Sequence, residues 1–253
     1  MQQFNIFQAI FMSFYSKRLY RDVATNWGGK AFLYLFVLLI LVSLYFGFAL
    51  QAITKTAYQE IYTKLSPQVP VITIKEGKLS TPENRPYLII DPDTKKNLVV
   101  IDTSGQYKTN VDANASALIT ENQIFIQQKK NETRIYSIPE NVEGVFDAQY
   151  VNDKINQYVG YSWIAFFILG LIAFYIYRVL QALVYAILGK IFAVIIKAPV
   201  SYFQIVQIML VAITPAIIIY TIQLSLQYSM PYEALFYFLL SMFYLFYGIK
   251  ANK

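Results

Sequence analysis

The chain has 253 residues, 57% of them hydrophobic, and a mean hydropathy of +0.42. A soluble domain holds roughly 45–50% apolar residues, so part of this chain needs a low-dielectric surrounding. The net charge is +6 and there is neither Cys nor His, which excludes disulfides and thiolate metal sites and removes the usual general base, imidazole ligand and neutral-pH switch.

In chain order, residues 3–16 place Phe4, Phe7, Ile10, Phe11 and Phe14 at helical spacing on one face. Lys17, Arg18 and Arg21 follow at once. The segment is too short and too polar to span. Residues 1–30 therefore read as a cytoplasmic interfacial amphipathic helix with a basic cluster. Lys17, Arg18, Arg21 and Lys30 are its candidate contacts to anionic lipid headgroups, worth ~1 kcal/mol per basic residue near the surface. Nucleic acid is the poorer partner for a cluster placed between an apolar face and a span. Residues 31–53 form an uncharged run of 23, enough to cross a ~30 Å hydrocarbon core. The run is too long for a signal peptide and no A-x-A site follows it.

Residues 54–157 differ in kind, with twelve Lys/Arg against thirteen Asp/Glu. Short β-type runs at Val69–Lys75, Tyr87–Ile90, Leu98–Ile101, Gln123–Gln128 and Thr133–Ile138 alternate with turns at Gly77, Pro92-Asp93, Ser104-Gly105 and Lys129-Lys130-Asn131-Glu132. This pattern predicts an antiparallel meander, with a hairpin over 123–138. Residues 158–177 are a second uncharged run ending at Arg178. Residues 178–197 are apolar but interrupted by Gln181, Gly189 and Lys190. Residues 200–222 are a third run, with Pro215 inside it, and residues 232–249 a fourth.

The predicted fold class is an α+β membrane protein with about four transmembrane helices. An extracytoplasmic antiparallel β-rich domain is inserted between spans one and two. Lys and Arg collect in short cytoplasmic loops. Four spans with both termini inside put all nine basic residues outside the β-rich region on the cytoplasmic face, Arg178 among them, and Glu233 on the far side. Residues 178–197 are then an interfacial or re-entrant helix; a fifth span through them would export Lys250 and Lys253.

The motifs carry little chemistry. Asp102-Thr103-Ser104-Gly105 lacks the spacing and the second copy of an aspartic-protease loop and reads as a turn. Leu88–Asp91 and Val99–Asp102 resemble Walker B strands, but no phosphate-cradling G-x-x-x-x-G-K-[ST] accompanies them. Gln204, Gln207, Val211, Thr214 and Thr221 lie near one face of the third span, an intramembrane polar face that serves helix packing or a substrate path. Lys190 reads as a snorkelling lysine. Asn114-Ala115-Ser116 and Asn131-Glu132-Thr133 match the glycosylation sequon, which matters only in a eukaryotic lumen. No cofactor or metal site is expected.

Several phrases resemble a known bacterial family. They are Ser13-Phe14-Tyr15-Ser16 with its basic follow-on, Ile72-Thr73-Ile74-Lys75-Glu76-Gly77-Lys78-Leu79-Ser80, and Val99-Val100-Ile101-Asp102-Thr103-Ser104-Gly105. The order helix, span, external domain, C-terminal spans agrees. The family is one of unknown function whose Gram-positive members are labelled maltodextrin-utilisation membrane proteins, and its membrane part is similar to Yip-type proteins. The resemblance implies a bacterial inner-membrane location and no catalytic residues. The expected function is non-enzymatic. An extracytoplasmic domain binds a membrane or periplasmic protein partner or a ligand, as scaffold, sensor or subunit of a membrane complex. A permease or transporter accessory subunit is the alternative. A membrane enzyme acting on lipid or envelope sugar is disfavoured by the absence of His, Cys and intramembrane acids.

Overall fold

A computed structural model of the chain describes residues 4–129 and 132–253. The expected turn at Lys130-Asn131, and with it the sequon at Asn131, lies outside the described residues. The chain divides into two compact units: Met1–Leu50 with Trp163–Lys253, and Gln51–Ser162.

The first unit is helical. Helix α1 (Ile6–Met12) starts at a capping box of Asn5 and Gln8, the reciprocal arrangement that satisfies two orphan amides. Ser16 caps α2 (Lys17–Asp22), and a π-helical turn, Val23–Trp27, follows. Within the range 3–16 expected as helical, Ile6–Met12 is helix, and the basic cluster Lys17, Arg18 and Arg21 lies on a second helix, α2. Ser13 bonds back to the Ile10 carbonyl, while the Ser16 hydroxyl accepts from the Leu19 amide. Serine side chains of this kind compete with the helical ladder. Helix α3 (Lys30–Leu65) opens with the first apolar run.

Helix α4 (Ala148–Ile196) is continuous for 49 residues. Residues 158–177 and 178–197, expected as a span and a separate interfacial or re-entrant helix, are therefore one element as far as Ile196. The polar residues that suggested a break each have a role in the helix. Arg178 Nη1 donates to Gln181 Oε1 at 2.7 Å, one turn on. Lys190 Nζ reaches the Val200 carbonyl at 3.1 Å. Gly189 lets Ile205 and Leu245 approach so closely that a Cβ there would lie 2.5 Å from Ile205 Cγ2. Helices α5 (Tyr202–Ala212) and α6 (Thr214–Ser225) are parted at Ile213. Pro215 has no N–H to continue the ladder there. Helix α7 (Glu233–Lys250) ends the unit. Among the described residues, four helical segments, Lys30–Gln68, Ala148–Ile196, Tyr202–Ser225 and Glu233–Lys250, are long and apolar enough to cross a membrane.

Side-chain contacts fix the helix directions. Phe36 meets Tyr175 and Phe48 meets Trp163, so α3 and α4 run antiparallel. Tyr185 meets Phe238 and Phe192 meets Phe246, so α4 and α7 run the same way. Gly248 abuts Ile208 and Tyr237 bonds Gln223, so the α5–α6 pair opposes α7. Direction alternates from α3 to α7, and both ends of the chain lie together. Arg21 donates to the Ala251 carbonyl and Asn252 Nδ2 to the Tyr20 carbonyl.

Among the described residues the second unit holds eight strands. Strands β1 (Ile72–Lys75), β2 (Lys78–Ser80) and β8 (Gly144–Phe146) form one sheet in the order β2-β1-β8. The two residues between β1 and β2, Glu76 and Gly77, both have positive φ (49° and 71°), as a two-residue type I′ hairpin requires. Strands β3 (Tyr87–Ile90), β4 (Asn97–Asp102), β5 (Ala115–Thr120), β6 (Gln123–Lys129) and β7 (Glu132–Ser137) form the second sheet, in sequence order. This sheet is mixed, not antiparallel throughout: β4 and β5 are parallel, with Val100 opposite Leu118 and Ile101 opposite Ile119. The connection is residues 103–114, long enough for the crossover that parallel strands need. The sheet has apolar groups on both faces. Val100, Leu118 and Phe125 cluster on one side with Ala113 and Ala115. Ile89 and Ile101 cluster on the other with Leu79 and Ile138. Within this unit, Tyr58 and Gln59 of α3 bond Asn152 and Asn156 of α4.

Candidate functional site

In the helical unit, α4, α6 and α7 enclose a cleft of about 530 Å³, within the ~300–1,000 Å³ range of ligand sites. Helix α4 supplies Arg178, Gln181 and Tyr185; α6 supplies Tyr220; α7 supplies Glu233 and Tyr237. The Arg178 guanidinium stands 5.2 Å from the Tyr177 ring centre, and Gln181 is its one hydrogen-bond partner among the described residues. Glu233 Oε2 accepts from Gln223 Nε2 at 3.1 Å, and Tyr237 donates to Gln223 Oε1. The rings of Tyr220 and Tyr237 meet edge to face, 5.3 Å apart. One cation and one anion therefore face the same cleft, and no ion pair joins them among the described residues.

This geometry separates Arg178 from the other basic residues. It was expected with them on the cytoplasmic side, opposite Glu233. It instead lies beside Glu233, at the far end of α7 from Lys250, a helix of 18 residues or about 27 Å. As part of the continuous α4, residues 178–196 run alongside α7, which brings Arg178 to the Glu233 end.

The expected polar face of the third span is dispersed. Gln204 is spent on the α5 capping box with Ser201. Gln207 is buried, and its Oε1 has no hydrogen-bond partner among the described residues. Thr214 Oγ1 bonds the Tyr34 hydroxyl at 2.7 Å, and Thr221 bonds back to the Ile217 carbonyl. Val211 is buried in the helical core. Sequence reasoning missed Gln181, Tyr220, Gln223 and Tyr237. One signal was available: Glu233 and Asp22 are the only acids outside residues 54–157.

At the other end of the unit the N-terminal segment is seated on α7. Tyr20 is fully buried, donates to the Ser13 carbonyl at 2.6 Å and meets Tyr247 edge to face. Burial, reinforced by neighbouring phenols, raises its pKa well above the ordinary value. Asp22 is buried and accepts from the Trp27 indole at 2.9 Å and from the Phe4 amide. Arg21 is engaged with Ala251, and Lys17 lies over the Tyr247 ring. Lys17, Arg18, Arg21 and Lys30 are all exposed to some degree. Of the expected apolar face, Phe14 packs on Tyr244, while Phe7 and Phe11 are 64% and 73% exposed.

In the β-rich unit, Asp102 anchors the turn that the sequence placed there. Its Oδ1 accepts from the Ser104 amide and hydroxyl, and its Oδ2 from the Tyr107 amide at 2.7 Å. Burial opposes its charge, but these bonds outweigh it and hold the carboxyl below the usual range. Asp91 is likewise lowered, first by the Thr94 hydroxyl and then by the Asp93 amide. Strand β7 closes the sheet as an edge, and Ile135 and Tyr136 on it are 56% and 47% exposed.

No curated protein and no solved structure matches the chain. A family model does, over residues 7–249, and the chain accordingly belongs to a family of proteins of unknown function, DUF1189.

Proposed function

We propose that this is a non-enzymatic, multi-pass protein of the bacterial inner membrane. Its β-rich unit stands outside the cytoplasm and binds a protein partner, as scaffold, sensor or subunit of a membrane complex. The observation that carries the reading is the edge strand β7 with exposed Ile135 and Tyr136. A free edge offers a row of backbone donors and acceptors to an incoming strand, and exposed side chains alongside it give selectivity. Four helices of alternating direction supply the anchor. The basic ends of the chain, which lie together, suit the cytoplasmic face, where Lys17, Arg18, Arg21 and Lys30 meet anionic lipid.

A permease or transporter accessory subunit is the second reading, favoured by the charged cleft between α4, α6 and α7. The resemblance to maltodextrin-labelled and Yip-type membrane proteins is compatible with either. The test uses the intact chain in its own membrane, with a photo-crosslinking amino acid at Ile135 and, for comparison, at Phe243 on α7. A discrete product from Ile135 alone is the expected result. Equal yields from both positions, or none from Ile135, overturn partner binding at this edge.

A further inference from the structure

The cleft between α4, α6 and α7 holds two opposite charges whose hydrogen-bonding capacity is largely unspent. Arg178 has five N–H donors and one acceptor, Gln181, among the described residues. Glu233 has two carboxylate oxygens and, among the described residues, one hydrogen bond, from Gln223. No direct ion pair joins them among the described residues. Charges at a membrane-spanning segment are costly unless they are paired. A ligand that carries both signs, set apart from each other, meets that need.

The walls say more about the ligand. Tyr185, Tyr220 and Tyr237 line the cleft, with Phe174 and Phe238 beside them. Aromatic faces attract an ammonium, and do so more strongly where water is scarce. The guanidinium fork suits a phosphate better than a point cation would. The apolar rings also give an alkyl chain a surface. The geometry points to a binding site for a zwitterion of the phosphoethanolamine type, its phosphodiester on Arg178 and its ammonium at Glu233 among the tyrosines. Gln181 and Gln223 are positioning residues, each bonded to one of the two charged groups. The site belongs to the helical unit and stands whether or not the β7 edge binds a partner.

The source of such a group is a zwitterionic phospholipid or a soluble headgroup compound. The experiment takes the full chain in non-ionic detergent and titrates it with dihexanoyl phosphatidylethanolamine, dihexanoyl phosphatidylglycerol and glycerophosphoethanolamine, measuring each dissociation constant by calorimetry. The expected result is a preference of about tenfold or more for phosphatidylethanolamine over phosphatidylglycerol. Arg178→Gln weakens both lipids, and Glu233→Gln removes the preference while leaving phosphatidylglycerol binding intact. If Arg178→Gln does not fold, Arg178→Lys keeps the charge and loses the fork, and weakens both lipids. Glycerophosphoethanolamine binding as tightly as the lipid marks a soluble ligand; binding only with acyl chains marks the lipid. Equal affinity for the two lipids in the native chain, or a preference that survives Glu233→Gln, overturns the site.

Discussion

Tyr20 and Gly248 share one notch: a Cβ on Gly248 would come 2.8 Å from Tyr20 Cδ1 and 2.6 Å from Ile208 Cγ2. The N-terminal segment is therefore seated on α7 by steric fit as well as by hydrogen bonds. Tyr20 is fully buried, as is Ile208, so neither can yield without displacing its neighbours.

Gly248→Leu is accordingly expected to destabilise the helical unit by ~1–3 kcal/mol, the usual cost of overpacking. The readout is the thermal midpoint of the full chain in detergent. Gly29→Leu is the control, because a Cβ at Gly29 meets nothing within 4 Å. Equal losses in the two variants would mean that the notch is not a tight contact.

Asp102 makes the β-rich unit sensitive to acid. Its carboxyl is held below the ordinary range in the folded state, against ~3.9 when unfolded. A depressed folded pKa contributes stability that is complete above the unfolded value and is lost as pH falls through the folded one. Asp91 acts in the same direction. Urea midpoints of the fragment Gln51–Ser162, which is expected to fold alone as a compact unit, should hold constant from pH 7 to about 5 and fall below about pH 4. Asp102→Asn offers an amide nitrogen where the Tyr107 amide needs an acceptor, so it should lose ~1.5–3 kcal/mol at neutral pH and flatten the acid limb. An acid limb of unchanged steepness in Asp102→Asn would refute the assignment.

The legible and illegible parts of the sequence divide along physical lines. The four apolar runs were visible because length and hydropathy suffice to mark them. The Asp102 turn was visible because Asp, Ser and Gly carry their own local chemistry. Strands β2, β5 and β8 were missed. Lys78–Ser80 and Gly144–Phe146 are three residues each, too short for a period. Ala115–Thr120 opens on Ala-Ser-Ala, residues without β-branching. Parallel pairing of β4 with β5 depends on contacts across twelve residues of connection, which no local pattern encodes. The continuity of α4 was hidden for a related reason: Arg178, Gln181 and Lys190 look like interruptions until their partners are known. The cleft was hidden because its residues come from three helices far apart in sequence, whereas the expected polar face lies on one.

The direction of the helices yields the last prediction. Helices α3, α4, α5–α6 and α7 alternate, so the turn before α7 lies at the opposite end of the helical unit from the C-terminus. Tyr232 in that turn is 83% exposed, and Lys253 is exposed at the chain end. On the proposed orientation, with the basic termini in the cytoplasm, Tyr232 is expected to face outward. Lys95, exposed in a turn of the β-rich unit with φ 58°, is expected outside as well. The chain has no Cys, so single cysteines report without background. Tyr232→Cys and Lys95→Cys should react with an impermeant maleimide in intact cells, and Lys253→Cys only after the membrane is opened. A fifth crossing would reverse Lys253 and leave Lys95 unchanged. An inverted protein would reverse all three. Labelling of Lys253→Cys in intact cells, together with protection of Tyr232→Cys, would therefore refute the four-crossing arrangement with cytoplasmic termini, and the behaviour of Lys95→Cys would say which of the two alternatives holds.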